Sequence, residues 1–164
     1  MCWCTPQDLY DQLDDEFHFV LDAAATSKSA KCNMYYTPED DGLSQTWNRG
    51  SVFCNPPYGR NIKDWVSKAY YESIRNPEIT IVLLIPARTD TQYFHEWIYG
   101  KANIRFIRGR LKFTNEDGHP AVDTAGRPCS APFPSMIVIY NFKEEGLNEA
   151  TTSYDRWRIR KLHW

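Results

Sequence analysis

At 164 residues the chain is the size of one domain, long enough for a buried core and too short for an enzyme with a separate recognition domain. Aromatic residues make up 15% of it, which suits either a dense core or stacking surfaces, and no apolar run approaches membrane-spanning length. The net charge of −2 is unevenly divided: residues 1–50 carry Lys28, Lys31 and Arg49 against nine acids, and residues 51–164 carry the other sixteen Lys and Arg against twelve. An acidic front and a basic back suit a protein that meets a polyanion on one side, although solvated faces produce the same split. With no signal peptide in view, a soluble protein of the cytoplasm is expected. Cys2, Cys4, Cys32, Cys54 and Cys129 are odd in number and form no Cys-x-x-Cys pair, which points to free thiols in a reducing compartment. Cys2 and Cys4 with a distant His match no usual zinc spacing, so no metal is expected.

In chain order, Thr5-Pro6-Gln7-Asp8 reads as a helix start, with Thr5 as cap, Pro6 at the first helical position and Asp8 near the positive end of the dipole. Leu9, Leu13 and Phe17 share one face, and Asp14-Asp15-Glu16 ends the helix on an acidic surface. Phe17-His18-Phe19-Val20-Leu21 reads as a strand, followed by Asp22-Ala23-Ala24-Ala25-Thr26. A carboxylate at a strand end followed by residues too small to obstruct lets a cofactor approach the backbone, in place of the usual glycine-rich loop. A strand running into a small-residue helix start gives the same pattern. Met34-Tyr35-Tyr36 is a second strand, followed by an acidic turn with Glu39, Asp40 and Asp41. An acid there is placed to hold a ribose, and a solvated turn is the other reading.

Ser51-Val52-Phe53-Cys54 is an apolar strand that ends in Asn55-Pro56-Pro57-Tyr58. Two prolines can continue neither a ladder nor a helix, and Pro57 restricts Pro56, so this is a stiff loop at the carboxyl end of a strand. Open α/β sheets place their ligands at that edge. The loop presents carbonyl acceptors, the Asn55 side-chain oxygen and the flat ring of Tyr58. Together these suit an exocyclic amine and the heterocycle that bears it. A Pro-rich turn over a core tyrosine would use the same residues.

Beyond the loop, Ile62, Trp65, Val66, Ala69 and Tyr70 recur at helical spacing until Asn76-Pro77. Ile79–Ile85 is a continuous apolar strand of the kind buried on both faces. A polar loop, a short helix with Phe94, Trp97 and Ile98 inward, and a strand over 103–107 follow. Arg108–Phe113 is predicted to lead into a further strand, residues 114–134 to form a long irregular loop, and Ser135–Tyr140 to be the last strand. From Lys143 a polar and then basic tail completes the chain, outside the domain at 1–142. The alternation of strands and helices predicts a three-layer α/β fold with a mostly parallel sheet.

Thr5-Pro6, Leu21-Asp22-Ala23-Ala24, Asp41-Gly42-Leu43, Asn55 to Gly59, Leu84 to Thr89, Gly109 to Phe113 and Ala131 to Ser135 occur in an order that resembles the Dam-type DNA N6-adenine methyltransferases of phages and prophages. The resemblance spans residues 3–142 and implies a Rossmann-like methyltransferase fold, S-adenosylmethionine as cofactor and duplex DNA as partner, with the target adenine flipped out. It implies cofactor contacts from Thr5, Pro6, Asp22, Ala23 and Asp41. It implies a catalytic loop of Asn55, Pro56, Pro57 and Tyr58, in which Asn55 and the Pro56 carbonyl hold the amine and Tyr58 stacks on the base. Arg60, Arg88, Arg108, Arg110 and Lys112 are the candidates for DNA phosphates, each of which also suits a surface ion pair. The absent glycine loop is the departure from the family pattern. The same motif also serves transfer to RNA or to protein glutamine, and a non-catalytic nucleic-acid-binding descendant of the fold would keep the same elements.

Overall fold

A computed structural model of the chain describes residues 3–142; the basic tail lies outside the described residues. The elements in order are α1 (Gln7–Phe17), β1 (Leu21–Asp22), β2 (Met34–Tyr35), β3 (Val52–Cys54), α2 (Ile62–Arg75), β4 (Ile81–Pro86), a single π-helical turn here called α3 (Phe94–Ile98), β5 (Asn103–Phe106) and β6 (Ser135–Tyr140). The six strands form one sheet in the order β2-β1-β3-β4-β6-β5. β1 pairs in parallel with β2 and β3, and β3 with β4, while β6 runs antiparallel to both β4 and β5. All strands but β6 therefore point the same way and end at one edge.

The alternation of side chains along each strand divides the core into two layers. Val52, Cys54, Ile81, Leu83, Ile85, Met136 and Val138 face Ile62, Trp65, Val66 and Ala69 of α2 and Phe94 and Ile98 of α3. Phe53, Val82, Leu84, Ile137 and Ile139 face Leu9, Tyr10 and Leu13 of α1. α1 is too short to cover that second face, and Ile107, Leu111, Phe113 and Ala131 from the irregular segment complete it. The result is the expected three-layer α/β fold with a mostly parallel sheet, in a Rossmann-like methyltransferase arrangement. No helix among the described residues is long and apolar enough to cross a membrane.

Three local expectations are corrected. Residues 17–20 are not strand: α1 continues through Phe17, His18 takes the left-handed conformation (φ 52°) and its N–H returns to the Asp14 carbonyl at 2.8 Å. The Asp14 carboxylate also accepts from the Phe19 N–H at 2.8 Å, so an acid read as surface closes the helix end. Thr5 does not cap α1. Pro6 occupies the cap position without a side-chain bond, and the Thr5 hydroxyl is engaged elsewhere. Finally, 108–113 forms no strand. Among the described residues the ladder contacts nearby are isolated bridges of Thr114 with Cys4 and Pro120 and of Val122 with Pro128. Gly109, with φ 81°, turns the chain away from extended geometry.

Candidate active site

β3 delivers Asn55 to the sheet edge where β1 and β4 also end. The Asn55 amide nitrogen donates to the Trp3 carbonyl at 2.7 Å and to the Thr5 hydroxyl at 3.0 Å. A carbonyl can only accept, so the Trp3 contact fixes which end of the amide is nitrogen. The other end, Oδ1, is buried and has no hydrogen-bond partner among the described residues. A buried acceptor left without a partner costs roughly 1–3 kcal/mol, a cost expected where a ligand will supply the donor.

Tyr58 is anchored from below. Its hydroxyl donates to the Leu84 carbonyl at 3.2 Å, which ties the Asn55–Tyr58 loop to β4. Burial pushes this phenol well above its ordinary pKa, so it stays a neutral donor. The ring meets Phe133 edge-on at 5.4 Å and Phe113 at 6.1 Å, and Trp3 packs against the same two rings at 5.8 and 5.5 Å. Pro56 is buried and Pro57 exposed.

An open cavity of about 480 Å³ extends from this loop toward the ends of β1 and β2, within the size range of small-molecule sites. Asn55, Pro56, Pro57 and Tyr58 line one part of it; Tyr36, Asp41 and Trp65 line another. A second cavity of about 50 Å³ lies between Thr5, Asp22 and Asn55. Ala23 is fully buried in the core, and its neighbours Ala24 and Ala25 line the large cavity instead. Pro6 is buried and lines neither cavity.

Asp22 holds the loop that follows β1. Its two oxygens accept from the Lys31 N–H at 3.0 Å and the Ala24 N–H at 3.4 Å. Burial raises its carboxyl to a pKa of about 6, against the opposing pull of those two N–H groups and of Lys31. The acidic turn resolves into separate roles. Asp40 accepts from the N–H and hydroxyl of Thr37 at 2.8 and 2.9 Å and so closes the turn. Glu39 is exposed, and Asp41, in the left-handed conformation (φ 53°), lines the cavity and accepts from the Ser44 hydroxyl. Gly42 lets the acidic turn pack tightly: a Cβ there would lie 2.4 Å from the Ala23 carbonyl and 3.0 Å from the Trp65 ring.

Arg60, Arg88, Arg108, Arg110 and Lys112 are all exposed, and none lines the cavity. They follow the ends of β3, β4 and β5, strands that share one direction, so all five belong to loops at the cavity's edge of the sheet. Among the described residues no group of three His, Cys, Asp or Glu could hold a metal ion. Sequence reasoning missed Trp3, Tyr36, Trp65 and Phe133. Trp65 sat in a helical apolar stripe and read as core alone, and the other three are brought in by contacts remote in sequence.

Comparison with known proteins bears directly on this geometry. The family described as DNA N-6-adenine-methyltransferase (Dam) matches residues 2–156. A DNA N-6-adenine-methyltransferase of Haemophilus phage HP1 is 25% identical over 159 residues, covering 88% of this chain and 91% of the relative. A DNA N-6-adenine-methyltransferase of Escherichia phage T1 is 30% identical over 138 residues, covering 74% of this chain but 57% of that longer relative. With a family match across nearly the whole chain and the Asn-Pro-Pro-Tyr loop at the rim of its main cavity, the protein belongs to the DNA N-6-adenine-methyltransferase (Dam) family.

Proposed function

We propose that the chain transfers a methyl group from S-adenosylmethionine to the N6 amine of an adenine flipped out of duplex DNA. The observation that carries this reading is the Asn55 Oδ1 atom, buried, without a partner among the described residues and fixed in orientation at the edge of a cavity of ligand size. The cavity suits an adenosyl group: Tyr36 and Trp65 offer apolar walls, the Asp41 carboxylate offers an acceptor for ribose hydroxyls, and the small Ala24 leaves room beside them. Asp22, at the small cavity beside Asn55, supports the methionine end, with Ala23 and the backbone of the Thr5-Pro6 segment packed behind it.

When bound, S-adenosylmethionine supplies an electrophilic methyl on a sulfonium. The protein's part is to make the amine a nucleophile. The lone pair of an adenine amine is delocalised into the ring. Asn55 Oδ1 and the Pro56 carbonyl, each accepting one N–H, favour tetrahedral nitrogen and free that pair. As positive charge develops on nitrogen the same oxygens would stabilise it, the methyl–sulfur electron pair would stay on sulfur as a neutral thioether, and the surplus proton would then leave to water; this is electrostatic preorganisation without an early general base. Pro57 keeps the loop stiff, and Tyr58, held through Leu84, replaces the stacking the base loses on leaving the duplex. Arg60, Arg88, Arg108, Arg110 and Lys112 neutralise phosphates around the opening, and residues 114–134 approach a groove. Residues 1–142 form the catalytic unit, with the basic tail as an accessory.

The test is transfer of labelled methyl to unmethylated duplex DNA, with Asn55→Ala beside it. Label in N6-methyladenine that falls at least about a hundredfold in the variant is the expected result. Label in RNA or protein with none in DNA would overturn the choice of acceptor.

A further inference from the structure

Thr5 lies just before α1, 3% exposed, and its hydroxyl is committed to a residue fifty positions away. An amide nitrogen has two hydrogens, and at Asn55 both are taken, one by Thr5 Oγ1 and one by the Trp3 carbonyl. Turning that amide over would set Oδ1 against the Trp3 carbonyl, two acceptors facing each other at hydrogen-bond distance. The Trp3–Thr5 segment is itself held: Cys4 and Thr114 exchange backbone hydrogen bonds at 3.0 Å, and the Trp3 ring packs between Phe113 and Phe133.

We infer that Thr5 is a positioning residue: its hydroxyl and the Trp3 carbonyl together lock the Asn55 amide so that Oδ1 faces the amine to be methylated. The inference rests on the proposed function and goes beyond it by assigning the Thr5 hydroxyl to Asn55 rather than to the cofactor. It also explains why an amide stands here. A carboxylate at position 55 would meet the Trp3 carbonyl with no hydrogen between them, unless it took up a proton. Protonated, it would restore the Trp3 half of the pattern, with O–H toward Trp3 and C=O toward the amine, and the Thr5 hydroxyl would have to donate to the acid instead of accepting from it.

The test compares Thr5→Val, which keeps the shape and loses the hydroxyl, with Thr5→Ser, which keeps the hydroxyl. On duplex DNA, Thr5→Val should lower kcat roughly tenfold, with the Kd for S-adenosylmethionine and the melting temperature close to wild type, and Thr5→Ser should restore kcat to within about twofold. A raised Kd with kcat intact would place the hydroxyl on the cofactor and overturn the inference. So would Thr5→Val matching wild type, or Thr5→Ser failing like Thr5→Val. Should Thr5→Val not fold, Asn55→Asp reads the Trp3 half of the same lock: its residual activity should climb as pH falls from 8 to 5.5 relative to wild type, and a profile parallel to wild type would overturn the inference. If the wild-type chain methylates no DNA, the functional reading fails and takes the inference with it. An active wild type with unresponsive Thr5 variants sinks the inference alone.

Discussion

The Thr26 hydroxyl donates to the Glu116 carboxylate at 3.0 Å, joining the loop after β1 to the irregular segment that follows Phe113, ninety residues later. Thr26 lines the large cavity, and its backbone N–H is bound to Ser29 Oγ at 2.9 Å. The proposed cofactor side and the segment proposed to approach DNA are thus joined through this contact. Glu116→Ala should change folding stability by no more than about 1 kcal/mol, since the contact is partly exposed. The same change should weaken S-adenosylmethionine binding a few-fold in calorimetry. Unchanged binding would show the tether to be inert.

Gly42 packs the acidic turn against Ala23, the residue that follows β1. Its missing Cβ would overlap the Ala23 carbonyl, and Ala23 cannot yield because its N–H is bound to the Phe53 carbonyl at 2.9 Å. Gly42→Ala should cost about 1–3 kcal/mol in urea unfolding, the usual range for overpacking. Because the residue lines the cavity, cofactor affinity should fall at least about tenfold.

Asp22 makes a prediction about pH. Its folded-state pKa of about 6 lies above the ordinary 3.8, so the native state holds this proton more tightly than the unfolded chain does. The resulting stabilisation is fully present below about pH 4 and is lost as pH rises through 6. Wild type should therefore gain stability relative to Asp22→Asn on acidification from pH 7 to pH 4, by up to about 3 kcal/mol from a shift of this size. Denaturant titrations of both proteins at the two pH values measure the difference directly. Parallel curves would refute the assignment.

Arg108 and Arg110 bracket the turn at Gly109 and are both exposed. Replacing both with Ala should weaken binding to any duplex by a similar factor and reduce the slope of log affinity against log salt by about 2. A change confined to one DNA sequence would instead assign them to base contacts.

Much of this architecture was legible from local pattern. The apolar runs at β3, β4 and β6 and the stripe on α2 became elements close to where they were expected, because burial on a fixed side-chain period is a local signal. The Asn-Pro-Pro-Tyr loop was legible because proline's missing N–H and fixed φ leave few alternatives. The strand expected at 17–21 failed because His18 adopts a left-handed turn that the Asp14 carboxylate stabilises. Within the acidic turn, composition could not rank three neighbouring acids; Asp40 is occupied by Thr37, and that leaves Asp41 toward the cavity. The tie between Asn55 and the Trp3–Thr5 segment, more than fifty residues apart at its longer contact, has no local signature at all.

That tie has a consequence for when the protein can work during its own synthesis and folding. Asn55 takes its orientation from the beginning of the chain, and the beginning is clamped by Thr114, 110 residues from Cys4. Contacts that close such long loops form late, after their entropy has been met by the rest of the core. A nascent chain that has released only β1 to β4 therefore carries the reactive loop without a fixed amide. Competence to methylate should await that closure, and a copy truncated before Thr114 should be inactive toward DNA.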